Sequence, residues 1–212
     1  MPNLKSIICF NGGAGGDFLK ATCLTQFDTP LSGTIDKNGM MEFHNHYFKQ
    51  KCQEHYETAC DWTMIDLHRV LPVENSHYYF DWFNKLAESI YFIDYPDAMT
   101  NIIVETCMNK RWQGDQDEFI RESLINIPPQ LQKIIPTHKR LDVIGKNWIK
   151  NQHQWRNVIG MRAIELIDLF DLNKLKLIVQ EITEKDLTCV EQFEYLHDQW
   201  IQKNQHLLKA HT

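Results

Sequence analysis

A short apolar segment near the start of the chain runs directly into a glycine-rich turn, and this junction constrains the fold more than any other feature. Residues 5–10, Lys-Ser-Ile-Ile-Cys-Phe, are rich in strand-forming side chains, and residues 12–16 are four glycines and one alanine. Residues 17–24 then have a helical pattern that opens with Asp17. The sequence therefore predicts a strand, a glycine loop and a helix in direct succession.

Apolar segments alternate with helical ones along the rest of the chain. We predict further strands at residues 63–67, 89–93 and 163–170. We predict helices over residues 45–60, 79–88, 98–112, 172–182 and 189–210, and a small hairpin around residues 36–39. Strands that are almost continuously apolar are typical of a parallel sheet buried on both faces. The sequence thus predicts one α/β domain over residues 1–212, with three α/β/α layers and a mostly parallel sheet; residues 113–160 form a helical or loop insertion or cover.

The composition narrows the class of protein. The chain has 22 Lys and Arg against 28 Asp and Glu, a formal net charge of -6, which argues against a broad surface for nucleic acid or anionic membrane. No apolar run approaches the ~20 residues that span a bilayer, and the first residues lack the pattern of a secretory signal. The six cysteines are scattered without a CxxC motif, as is typical of reduced thiols. We therefore expect a cytoplasmic protein that binds neither nucleic acid nor membrane.

Three segments are predicted to meet beyond the carboxyl ends of the strands, where parallel sheets bind ligands. They are the loop of residues 12–16, His68 after the predicted strand 63–67, and residues 94–97. The loop is neither a Walker A motif, which ends in Gly-Lys-Ser/Thr, nor GxGxxG. Its backbone N–H groups and the helix dipole favour anion binding. The alternative is a tight turn in which Asp17 caps the helix, and both interpretations stay open.

These three segments together resemble the sulfotransferase family, which has a P-loop-like α/β fold. Residues 12–19, Gly-Gly-Ala-Gly-Gly-Asp-Phe-Leu, are similar to the family's Pro-Lys-Ser-Gly-Thr-Thr-Trp-Leu loop. Residues 67–72, Leu-His-Arg-Val-Leu-Pro, resemble its Thr-His-Leu-Pro. Residues 90–97, Ile-Tyr-Phe-Ile-Asp-Tyr-Pro-Asp, resemble the strand that enters Arg-Asn-Pro-x-Asp, and Asn101 lies near the position of a family serine.

The resemblance implies a transferase that moves a sulfuryl group from the donor PAPS to a hydroxyl or amine of a small-molecule or glycan acceptor. His68 is then the general base, a role that suits an imidazole. The residues implied to bind the donor are Gly12, Gly13, Ala14, Gly15, Gly16, Asp17 and Asn101.

The chain departs from the family at its charged positions. The family's loop lysine aligns with Gly13, its loop threonines with Gly16 and Asp17, and the arginine for the 3′-phosphate with Asp94. Each lost charge-assisted contact to a phosphate is worth roughly 1.5–3 kcal/mol. The candidates to replace this charge are Lys20, Arg69, Lys110 and Arg111. A second hypothesis follows: a non-catalytic structural or interaction protein that retains a degenerate sulfotransferase-like fold and binds a protein partner. A homo-oligomer is compatible with both.

Three other patterns contain residue types that occur at metal or nucleic-acid sites. His44, His46, Cys52 and His55 are zinc-ligand types, in a spacing that matches no zinc module. Asp94 and Asp97 are ligand types for magnesium, but the loop lacks the lysine of a phosphoryl-transfer site. A basic segment carries Lys139, Arg140, Lys146, Lys150 and Arg156 with Trp148 and Trp155 between them. We interpret it as a solvated helix and expect no metal.

Overall fold

Four parallel strands form the centre of the structure, a computed structural model that describes residues 4–27, 33–35, 41–43, 47–58, 63, 65–112, 117, 119–120, 139–188 and 190–211. The strands of this sheet are β1 (Ser6–Cys9), β4 (Val73–Ser76), β5 (Ser89–Asp94) and β6 (Met161–Glu165). Their order is β4-β1-β5-β6, and every neighbouring pair is parallel. Two short strands, β2 (Gly33–Ile35) and β3 (Met41–Phe43), form a separate antiparallel hairpin.

Helices connect the strands of the sheet. Over the described ranges they are α1 (Gly16–Leu24), α2 (Tyr47–Thr58), α3 (Phe83–Leu86), α4 (Thr100–Trp112), α5 (Arg140–Arg156), α6 (Leu172–Thr183) and α7 (Val190–His211). Short 3-10 helices occupy Leu67–Arg69, Asp97–Met99 and Leu166–Phe170. Within the described part of the chain, no helix combines the length and apolar character needed to cross a membrane.

The helices pack on both faces of the sheet because successive strand residues point to opposite sides. On one face Ile8 of β1 belongs to a buried cluster with Leu19 of α1 and Trp200 of α7. On the other face Ile7 clusters with Phe48 of α2 and Trp155 of α5. The protein is therefore an α/β fold with helices on either side of a parallel sheet, consistent with three layers.

Most strongly patterned elements lie where the sequence predicts them. Strands β1 and β5, the β2–β3 hairpin and helices α1, α2, α4, α6 and α7 agree with the prediction to within a few residues. The weakly patterned segment 113–160 contains α5 over its last third. The rest of that segment lies largely outside the described residues.

The second predicted strand is wrong. In the described part of residues 63–67 there is no strand, and residues 67–69 form a 3-10 helix. The strand is β4 instead, with the sequence Val-Glu-Asn-Ser. All four of its residues are buried, and the polar ones are stabilised by partners on other elements rather than by an apolar core.

Two other predictions need correction. Only Phe83–Leu86 of the predicted helix 79–88 is helical, because the aromatic residues before it pack on one another, as in the stacked pair Phe80 and Trp82. The strand predicted at 163–170 is Met161–Glu165, and a 3-10 helix follows it. The chain turns there because the Asp171 side chain accepts hydrogen bonds from the first N–H groups of α6.

Candidate functional site at the carboxyl edge of the sheet

The glycine loop leaves the carboxyl end of β1 and enters α1 through two residues in the left-handed region. Gly13 has φ 79° and Gly15 has φ 82°, conformations that side chains rarely adopt. Inside the loop the Ala14 N–H donates to the Asn11 carbonyl oxygen at 3.2 Å. These turns aim the start of α1 at the edge where β5 also ends, since β1 and β5 are parallel neighbours.

Glycine also permits close packing of the loop against its neighbours. A Cβ on Gly12 would lie 2.6 Å from Cys107 Sγ of α4, and one on Gly16 would overlap the Phe10 ring. A Cβ on Gly13 would lie 2.7 Å from the Ile103 carbonyl oxygen. The loop is therefore tightly enclosed on its α4 side.

A buried polar network fixes α5 against Asn11, which lies immediately before the loop. Asn11 Nδ2 donates to Tyr95 Oη at 2.8 Å and to the Trp148 carbonyl oxygen at 3.2 Å. Asn151 Nδ2 donates to Asn11 Oδ1 at 3.2 Å. Since Asn11 is 2% exposed, these bonds hold the entry of the loop between β5 and α5.

Asp17 does not cap its own helix. The N-cap residue of α1 is Gly15, which has no side-chain oxygen for the N–H groups of the first turn. The Asp17 carboxylate instead accepts from Lys49 Nζ of α2 at 3.1 Å and from Asn75 Nδ2 of β4 at 2.8 Å, both through Oδ1. The capping interpretation is therefore wrong, and Asp17 joins α1 to α2 and β4.

Basic side chains lie around the Asp17 carboxylate. Burial alone would raise the pKa of the Asp17 carboxyl, but Lys49, His77 and Lys110 together lower that pKa well below its ordinary value. The Asp17 side chain is 55% exposed, so a ligand from solvent can reach the cations that surround it.

His77 is a candidate site residue that the sequence pattern does not predict. It follows the last residue of β4, and its ring lies 4.5 Å from the Phe10 ring, centroid to centroid. His77 Nδ1 is 3.0 Å from the Phe10 carbonyl oxygen. A carbonyl only accepts, so Nδ1 carries the proton, and in the neutral ring Nε2 is then the basic nitrogen. The sequence does contain a histidine four residues after Val73, but the segment Val-Glu-Asn-Ser before it is too polar to be predicted as a strand.

His68, the predicted base, is placed differently from the prediction. It lies in the 3-10 helix before β4, so it precedes the strand rather than following its carboxyl end. Its backbone N–H donates to Asp66 Oδ1 at 3.0 Å, and the residue is exposed. The predicted convergence therefore holds for the glycine loop and residues 94–97, and His77 takes the place expected for His68.

Residues 94–97 hold an ion-pair network with α5. Arg156 donates to both carboxylate oxygens of Asp94, at 2.7 to 3.1 Å, and to the Tyr95 carbonyl oxygen at 2.8 Å. His153 Nε2 lies 2.9 Å from Asp97 Oδ2. Arg156 also lies 3.5 Å from Asp97 Oδ1 through Nη1, so its guanidinium pairs with both carboxylates, and this segment is an ion-pair network rather than a magnesium site. Asn101 is exposed in the first turn of α4, beside Gly145 of α5.

The basic residues predicted to replace the missing charge lie in different environments, and not all of them face the loop. Lys20 is buried and paired with Glu74, so it is a structural group. The Arg69 guanidinium stacks over the Tyr47 ring, 4.1 Å from its centroid. Lys110 acts electrostatically on Asp17 as described. The sequence does not predict a role for Lys49, because no local pattern distinguishes it from the other lysines of a polar helix. Its partner Asp17 lies 32 residues earlier.

The zinc alternative finds no support among the described residues, where no group of three or more metal-ligating side chains occurs. Cys52 is buried, and burial raises the pKa of its thiol to about 12. His55 Nε2 accepts from Trp82 Nε1 at 3.2 Å within an aromatic cluster. His44 and His46 lie outside the described residues. In the basic segment, Trp155 is only 1% exposed, so it is not part of a surface for bases.

Comparison with known proteins matches this chain to no family model, no curated protein and no solved structure.

Proposed function

We propose that the protein is a sulfotransferase-like transferase that binds an anionic donor at the glycine loop and transfers a sulfuryl group to a hydroxyl or amine. The observation that carries the proposal is the position of His77 beside the uncapped start of α1, where Lys49 and Lys110 lower the pKa of Asp17. Anion site and base then lie at one edge of the sheet, where ligands of parallel sheets bind.

The order of segments along the chain supports the proposal. In the resemblance the base ends a strand as part of Thr-His-Leu-Pro, and His77 likewise follows β4 directly, next to β1 in the sheet, with Tyr78 and Tyr79 in place of Leu-Pro. The resemblance also includes a strand that enters Arg-Asn-Pro-x-Asp, and β5, which ends at Asp94, leads into Tyr95-Pro96-Asp97. With His77 in place of His68, the loop, the base and this turn follow strands that end at the same edge.

The donor PAPS fits the two halves of the site unequally. The backbone N–H groups that begin α1, with Lys49 and Lys110, suit its 5′-phosphosulfate. At the position of the family's 3′-phosphate arginine stands Asp94, which binds Arg156. A phosphate there would have to compete with two carboxylates for that guanidinium. We therefore expect the chain to bind the donor chiefly through its phosphosulfate end.

The proposed sulfuryl transfer needs one general base. His77 Nε2 takes the proton of the acceptor O–H or N–H while the acceptor atom forms its bond to sulfur. The S–O bond to the 5′-phosphate breaks, and its electron pair stays on the phosphate oxygen of adenosine 3′,5′-bisphosphate. Backbone N–H groups at the start of α1 stabilise the charge on that leaving phosphate. No oxidant, reductant or metal is needed for this step.

A second function is favoured by one observation, the ion pair between Asp17 and Lys49. This pair places a carboxylate of the protein where an anionic ligand would lie. A chain whose loop is already neutralised in this way would serve as an interaction protein that keeps the fold without the donor.

Calorimetric titration with adenosine 3′,5′-bisphosphate separates these functions. The transferase predicts micromolar binding to the wild-type protein, weakened at least tenfold in Lys49→Met/Lys110→Met, since two phosphate contacts are lost. A matched control is Lys5→Met, which removes an ion-paired lysine at the opposite, amino edge of the sheet. No heat at millimolar ligand, with no thermal stabilisation, would exclude the transferase and favour the interaction protein.

A further inference from the structure

Asp17 presents a problem for the proposed donor site, because an acidic side chain lies beside a loop that binds an anion. The carboxylate is fixed by two donors from separate elements, Lys49 of α2 and Asn75 of β4. Its pKa lies well below the ordinary value, so it is ionised at neutral pH. A permanent negative charge at this position has to affect which anions the loop accepts.

We propose that Asp17 is a specificity-determining residue that shifts the selectivity of the loop away from a doubly charged phosphoryl group and towards a singly charged terminal sulfuryl group. This inference rests on the proposed function, and it concerns the donor rather than the acceptor. Lys49 and Asn75 hold the carboxylate at the start of α1, so the net charge offered to a ligand is smaller than the cations alone would give.

The chemical difference between the two groups is one unit of charge. A terminal phosphate monoester has a second pKa near 6 and carries ~1.5 to 2 negative charges at neutral pH. A terminal sulfuryl group has the same tetrahedral shape but a single charge. At partly exposed positions, repulsion by the Asp17 carboxylate offsets the attraction of this extra charge to Lys49 and Lys110, by on the order of tenfold in the dissociation constant.

The position of Lys49 gives a second way to test the role of Asp17. Its ammonium lies 3.1 Å from Asp17 Oδ1 and 5.3 Å from the centroid of the Phe10 ring, so it is held beside the loop as well as against the carboxylate. Removing Lys49 leaves Asp17 with the hydrogen bond from Asn75 and the electrostatic effect of His77 and Lys110. The carboxylate is then less compensated, and discrimination against the phosphoryl group should increase.

The test compares two ligands that differ only in the terminal group, adenosine 5′-phosphosulfate and ADP, titrated without metal. The measured quantity is the ratio of the dissociation constant for ADP to that for the phosphosulfate. Asp17→Asn, which keeps the size of the side chain, should lower this ratio about tenfold relative to the wild-type protein, and Lys49→Met should increase it. The control Glu88→Gln removes a lysine-paired carboxylate at the amino edge and should leave the ratio unchanged.

The outcomes are distinguishable from failure of the proposed function. If Asp17→Asn keeps the wild-type ratio, the specificity role of Asp17 is wrong while the donor site stands. If neither ligand binds to the wild-type protein or to Asp17→Asn, both proposals are overturned. A circular-dichroism melt of each variant confirms that the ratios are measured on folded protein.

Discussion

His77 Nδ1 lies 3.0 Å from the carbonyl oxygen of Phe10, so the ring at the end of β4 is bonded to the residue that precedes the glycine loop. The bond spans 67 positions of sequence and joins neighbouring strands at one edge of the sheet. It sets both the orientation of the imidazole and its tautomer. Base and anion loop are therefore positioned by the same strand pair.

The first prediction compares the two histidines. His77→Gln should lower sulfuryl transfer by at least about 100-fold, because the base is lost. The dissociation constant for adenosine 3′,5′-bisphosphate should change less than about threefold, since the backbone of the loop is untouched. His68→Gln should leave transfer near the wild-type rate. Release of the bisphosphate from PAPS, followed by chromatography, measures all three proteins; loss of activity in His68→Gln alone would reverse the assignment.

The two histidines also indicate what could be predicted from sequence. Strands β1 and β5 were predicted because their buried residues are apolar and continuous. Strand β4 was missed because its buried Glu74 and Asn75 are stabilised by Lys20 and Asp17, which lie 54 and 58 positions earlier. Pairing over such distances leaves no local pattern, and the histidine that follows β4 was missed with it.

The candidate site, like the fold, could be predicted from the sequence only where the pattern is local. The glycine loop was found because the chemistry of glycine is local, and two of its glycines have positive φ. Lys49 was not found, because its role comes from the packing of α2 against β4 rather than from its neighbours in sequence. The role of Asp94 differs from the expected one for the same reason, since Arg156 arrives from 62 positions away.

The second prediction concerns the packing of the loop. Gly16→Ala should destabilise the protein by about 1–3 kcal/mol, because its Cβ would overlap the Phe10 ring. Gly145→Ala is the matched control within α5, where a Cβ meets only ordinary contacts beyond 3.4 Å. We expect that change to stabilise the protein by about 0.5–1 kcal/mol. Urea denaturation compares the two, and equal effects would show that loop packing is not limiting.

The third prediction concerns the ion pair beneath α1. Lys20 and Glu74 have side chains that are 7% and 1% exposed. Lys20→Met should cost about 3–5 kcal/mol, because it leaves a buried carboxylate without its cation. Lys20→Met/Glu74→Gln should recover much of the loss, since glutamine still accepts from the Leu71 N–H. A double variant no more stable than the single one, by denaturant unfolding, would contradict this explanation.

The fourth prediction concerns pH. Burial lowers the pKa of His197, whose Nε2 lies 3.0 Å from the Leu169 carbonyl oxygen. The unfolded chain takes up a proton on this histidine below about pH 6.5 while the folded protein resists protonation. The free energy of unfolding should therefore fall as the pH drops below that value, by at most about 1.4 kcal/mol per pH unit from this group.

His197→Gln provides the comparison for that pH dependence. Glutamine can still donate to the Leu169 carbonyl oxygen but does not titrate. Between pH 7 and pH 5 the variant should lose less stability than the wild-type protein, as measured by urea unfolding at each pH. Parallel pH profiles for the two proteins would assign the acid loss to other groups.

The central claim is that the glycine loop is the anion site, and amide chemical shifts of the ¹⁵N-labelled protein test it most directly. Titration with adenosine 3′,5′-bisphosphate should shift the backbone amides of Gly15, Gly16 and Asp17 first, in a saturable manner, together with the His77 side chain. Shifts confined to other parts of the chain, or no shifts at millimolar ligand, would contradict the claim.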